Sequence, residues 1–115
     1  MSDPKYPIIN GKLHHISGYE LPEDEPIMIF RGKDIGSLIA ISEYVEMLEE
    51  QPQNETIVSH FESSLERLAE FYKYQKDNPD LQSVGCSRKA HDRCFYFLNR
   101  AKNILTRNGY QGEIN

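Results

Sequence analysis

Apolar positions in the last third of the chain recur at helical spacing. Projected at about 100° per residue, residues 87–107 place Ala90, Cys94, Phe97, Leu98, Ala101, Ile104 and Leu105 on one stripe, the mark of a helix with one face on a core. Ser87 opens this helix and Asn108-Gly109 closes it. Two earlier segments show the same period. Asp34 is placed to cap a helix reaching about residue 50, with Leu38, Ile41, Val45 and Leu48 inward and Glu43, Glu46, Glu49 and Glu50 outward. Past the break at Gln51-Pro52-Gln53, Asn54 caps a longer helix to about residue 75 with Ile57, Phe61, Leu65, Leu68 and Tyr72 as its inner stripe. Asp77-Asn78-Pro79 ends it.

The N-terminal third reads differently. Asn10-Gly11 lies between two short runs rich in β-formers, which predicts a hairpin. Residues 17–26 form a polar, proline-punctuated loop, and residues 27–31 (IMIFR) are apolar until the last, as expected of a buried third strand. The expected fold is α+β: a single domain over residues 1–115, with a small antiparallel sheet of about three strands packed by three helices, the last two long. Helices of about twenty residues span about 30 Å, a length that invites packing between protomers, so a homo-oligomer is expected.

Composition narrows the function. The chain has 115 residues, 38% of them hydrophobic, and a formal net charge of -5. No apolar run reaches the roughly 18 to 20 residues of a membrane span, and the start (MSDPKYP) has no apolar segment behind positive charge. The expectation is a cytoplasmic protein that does not engage a membrane. The acidic balance disfavours long DNA or RNA. The charge is uneven, however. Residues 86–107 hold Arg88, Lys89, Arg93, Arg100, Lys102 and Arg107 against Asp92 alone, whereas the acids of residues 20–50 outnumber Arg31 and Lys33. A small anion could bind where a polyanion is repelled.

Beside its core stripe, the last helix carries Lys89, Arg93, Tyr96, Arg100, Asn103 and Arg107 on one arc, with the arginines seven residues apart. Guanidinium groups grip phosphate in two-point fashion, a tyrosine ring stacks on a base, and Asn99 or Asn103 can hydrogen-bond to base or ribose. The same arc would equally serve a solvated or subunit-packed face. A second anion-favouring place is Arg31-Gly32-Lys33-Asp34-Ile35-Gly36-Ser37, where a strand hands over to a helix N-terminus. It lacks the order of a nucleotide triphosphatase phosphate loop, and its plain alternative is a tight turn with Asp34 as cap and Arg31 paired to an acid.

Catalysis finds little support. The carboxylate runs Glu23-Asp24-Glu25 and Glu49-Glu50 lack the apolar enclosure that separates pKa values, and Ser42, Ser63 and Ser64 sit inside helices with no elbow motif. His60 reads as a boundary or interface residue. Cys86, His91 and Cys94 would offer three metal ligands without an evident fourth, and Cys94 falls on the apolar stripe, so neither a metal nor a cofactor is expected. Both cysteines read as reduced thiols.

Residues 19–34 (YELPEDEPIMIFRGKD), followed directly by an amphipathic helix, look like a module of small bacteriophage proteins. With the long later helices, the chain resembles the phage anti-Thoeris sponge proteins. That resemblance implies a small sheet with long C-terminal helices, assembled into homo-oligomers. It also implies sequestration, without chemistry, of cyclic ADP-ribose-type signals made by bacterial immune TIR enzymes, and in some members of cyclic oligonucleotides, inside the host cytoplasm. Ligand residues do not transfer position by position. Arg31, Lys33, Arg93, Tyr96, Asn99, Arg100, Asn103 and Arg107 are therefore nominated on physical grounds. The rival reading is a protein-protein module, whose acidic first helix and basic last helix dock to a host or phage partner or to each other.

Overall fold

The computed structural model describes residues 6–78 and 88–110, with side chains in the last helix described from Tyr96 onward. Two short strands, β1 (Ile8–Ile9) and β2 (Lys12–Leu13), pair antiparallel with Ile8 opposite Leu13 and Ile9 opposite Lys12. Asn10 and Gly11 both take positive φ, 53° and 76°, the left-handed pair that a two-residue hairpin turn demands. The following loop folds back on the hairpin. His14 bridges to Glu20, the His15 amide donates to the Tyr19 carbonyl at 2.8 Å, and the His15 and Tyr19 rings stack with centroids 5.0 Å apart.

The expected third strand is absent. Residues 26–30 carry neither ladder nor turn, and Ile27, Met28, Ile29 and Phe30 are 52%, 77%, 82% and 39% exposed. A continuous apolar run marks a segment that wants burial, but it does not supply a neighbouring strand to pair with. The fold is α+β, with two strands rather than three among the described residues.

Three helices make the core: α1 (Ile35–Glu49), α2 (Glu55–Asp77) and α3 (Arg88–Arg107). Each begins or ends close to where its sequence signals fall. The Asn54 Oδ1 accepts from the Ile57 amide at 3.0 Å, capping α2 as expected. After α3, Gly109 at φ 65° lets its amide donate to the Thr106 carbonyl and the Tyr110 amide to the Leu105 carbonyl, both at 3.1 Å. This double closure satisfies carbonyls that the helix end would leave orphaned, and it folds Tyr110 onto the core. The α1 start differs from expectation: Asp34 holds an extended N-cap backbone, but its side chain makes no capping hydrogen bond.

Leu38 and Val45 from α1, Leu65, Leu68, Ala69 and Tyr72 from α2, and Ala101, Ile104 and Leu105 from α3 form one buried cluster. Ile41, Phe61, Phe97 and Leu98 pack around it half-buried. Ala90 and Cys94 of the same predicted stripe lie outside the described side chains. α2 runs antiparallel to α1, because Gln75 near its end reaches Gly32 just before α1 begins. α3 then runs parallel to α1: Arg100 meets Glu43 and Glu46, and Arg107 further along meets Glu49. Among the described residues no strand Cα comes within 8 Å of a helix Cα, so the core lies between the helices.

Candidate functional site

The turn that leads into α1 is braced from beneath. The Arg31 carbonyl accepts from the Asp34 amide at 3.1 Å and from the Ser37 hydroxyl at 3.0 Å, so buried Ser37 ties the turn to the first turn of the helix. The Gln75 side-chain amide donates to the Gly32 carbonyl. Position 32 is tight, because a Cβ there would stand 3.0 Å from the Tyr74 ring, which would have to give by a few tenths of an ångström. Arg31 is exposed and Lys33 half-buried. Among the described residues neither has a carboxylate within 4.0 Å, and the first turn of α1 carries no acid. Two cations thus precede a helix N-terminus whose N-cap acid, Asp34, makes no capping hydrogen bond. Of the plain alternative, the tight turn forms and Asp34 takes the N-cap position, but its side chain makes no capping hydrogen bond and, among the described residues, no acid pairs with Arg31.

The arc on α3 divides into two parts. Arg100 donates from Nε to Glu46 Oε1 at 2.8 Å and from a terminal nitrogen to Glu43 Oε1 at 2.7 Å, and its side chain is only 21% exposed. Arg107 grips both carboxylate oxygens of Glu49, with Nε 3.1 Å from Oε2, and the Asn108 amide donates to the same Oε2 at 3.1 Å. Hydrogen bonding from Arg107 is the chief reason the Glu49 carboxyl lies below its ordinary pKa; partial burial opposes it, and Asn108 and the Arg107 charge add to it. The same pairings, Glu43 foremost for Arg100 and Glu49 for Arg107, hold both guanidinium groups more firmly protonated, against an opposing contribution from burial. These two arginines clasp α1 to α3 within one chain. In each, Nε and one terminal nitrogen are taken by carboxylates, so the two-point edge that those atoms form is not open to a phosphate.

The remaining described nominees on α3 face solvent. Tyr96 is 65% exposed, its ring set edge-on to Phe97 with centroids 5.2 Å apart, and Asn99 and Asn103 are exposed. At i, i+3 and i+7 they form a ridge beside the arginine row. The Arg93 side chain lies outside the described residues. The arginine partners were visible in the sequence as acids spaced by three on α1 and cations spaced by seven on α3. What the sequence does not contain is the parallel course of α1 and α3 that brings those rows together.

Among the described residues no group of three His, Cys, Asp or Glu side chains is placed to hold a metal ion. Cys86 and the side chains of His91 and Cys94 lie outside the described residues. No described helix is long and apolar enough to cross a membrane. No protein-family model matches the chain, and neither a curated protein nor a solved structure is similar enough to inform its function.

Proposed function

We propose that this chain is a non-enzymatic binding protein that captures a small cyclic nucleotide, the phage anti-defence role implied by its resemblance to the sponge proteins. The observation that carries this reading is the turn into α1, where, among the described residues, Arg31 and Lys33 have no carboxylate within 4.0 Å and Asp34 makes no capping hydrogen bond. A negatively charged group gains there from two cations together, against the opposing charge of Asp34. The phosphate role falls to Arg31 and Lys33, with Tyr96, Asn99 and Asn103 as an exposed stacking and hydrogen-bonding ridge, while Arg100 and Arg107 hold the fold. Sequestration asks for tight binding and slow release, and nanomolar capture needs about 12 kcal/mol of interaction without any bond being broken.

The test is a thermal-shift screen against cyclic ADP-ribose isomers and cyclic di- and trinucleotides, with denaturing recovery of any hit. Saturation at about 100 times the dissociation constant adds about 2.7 kcal/mol. A shift with the ligand recovered unchanged, abolished in Lys33→Glu, is the expected result. A shift with altered ligand means an enzyme, and no shift across the panel overturns the reading.

The protein-protein module keeps one observation in its favour: the exposed run Ile27, Met28, Ile29 and Phe30. An apolar patch of this kind marks a contact surface. That contact would be apolar and extended rather than made by the charged helix faces, whose described pairs meet each other inside the chain.

A further inference from the structure

The exposed run is bounded by charge in a particular order. Glu23, Asp24 and Glu25 precede it, and Arg31 and Lys33 follow. Laid antiparallel against an identical segment, acid meets base at both ends; laid parallel and in register, like meets like. A sequence of this polarity complements itself across a two-fold axis.

The backbone sets the same limits. Among the described residues, no amide or carbonyl of residues 26–30 has a hydrogen-bond partner. At the flanks one group of each residue is already used. The Glu25 amide donates to the Pro22 carbonyl at 3.3 Å, and the Arg31 carbonyl accepts from Asp34 and Ser37. The Glu25 carbonyl and the Arg31 amide stay available.

We propose that residues 25–31 pair antiparallel with the same residues of a second copy of this chain, about a two-fold axis at Met28. In that register Ile27 faces Ile29 of the other copy as a hydrogen-bonded pair, and Glu25 faces Arg31. The Arg31 amide donates to the facing Glu25 carbonyl. The two groups that would extend the ladder at that position are the ones already satisfied within each chain, so the pairing stops where the free groups end. Pro26 falls opposite Phe30 in a non-hydrogen-bonded pair, where the amide it lacks would point away from the partner. Pairing through the strand's other edge, which makes Pro26 and Phe30 a hydrogen-bonded pair, would place Pro26 where a donor is needed.

A two-stranded ribbon alone is marginal in water. The dimer must therefore also cover further apolar surface, and Ile8, Ile9, Ile16 and Tyr19 of the hairpin region are exposed. The inference goes beyond the ligand reading and does not depend on it. An Arg31 guanidinium has five N–H donors, and a facing carboxylate takes at most two of them.

Sedimentation equilibrium of the full chain tests it. The expected species is a dimer of the 13.4 kDa chain, which Ile29→Asp converts to monomer while circular dichroism keeps its helical signal. Glu25→Arg and Arg31→Glu should each weaken dimerisation about tenfold, because each reversal spoils two symmetry-related charge pairs, and the double variant should restore it. A wild-type monomer overturns the pairing, as does a dimer indifferent to Ile29→Asp or single reversals that the double variant does not rescue. A monomer whose melting temperature still rises with a cyclic nucleotide would overturn the pairing and leave the capture reading standing.

Discussion

Arg100 shows how far a residue's identity and its role can part. Its spacing on α3 nominated it for phosphate, and in three dimensions it lies between Glu43 and Glu46 with its side chain largely covered. Arg100→Ala removes two charge-assisted hydrogen bonds and the packing of the arginine stem. The expected loss is about 1 to 2 kcal/mol, above the usual exposed pair because Arg100 is mostly covered, and tempered because Glu43 is open to water. Urea denaturation measures it, and cyclic-nucleotide affinity should change little by comparison with Lys33→Glu. The sequence showed that these arginines share a face, but it did not show that a face of opposite charge on α1 would meet them. Gly32 was likewise legible as a break between elements, whereas the close approach of the Tyr74 ring to it is a tertiary fact.

Elements whose signals are local came through the sequence well. The hairpin follows from two residues able to hold positive φ, and α2 begins where Asn54 can accept from Ile57. Asn54→Ala should cost about 1 kcal/mol, which for a domain of this size lowers the melting temperature by several degrees; Asn54→Ser or Asn54→Asp should restore most of it. Elements that depend on a partner did not come through. Residues 27–30 have the composition of a buried strand but no strand beside them within the chain, and Asp34 occupies a cap position without capping. In each case the residue type is right for the role, and the missing half lies elsewhere in space.

At the scale of the whole molecule, the opposed charges of the N-terminal half and of α3 are an internal matter before they are an external one. The clasp between α1 and α3 makes stability depend on acid. The Glu49 carboxyl lies below its ordinary value of 4.5 in the folded chain, so the unfolded chain takes up its proton first as pH falls. The contribution is therefore complete above that ordinary value and fades as pH drops through the depressed folded one. Melting temperature followed from pH 7 into that acid range should fall more steeply in the wild type than in Glu49→Gln, which has already lost the charge. Equal slopes would mean that the Arg107 pairing contributes nothing to the acid limb.

The groups joined by this clasp stand 54 to 59 residues apart along the chain, with all of α2 between them. Each helix can begin to form on its own residues, but the clasp closes only once α2 has turned the chain back and α3 has returned alongside α1. Its charges are a late lock on an assembled bundle, felt in how slowly the native state comes apart more than in how quickly it is reached.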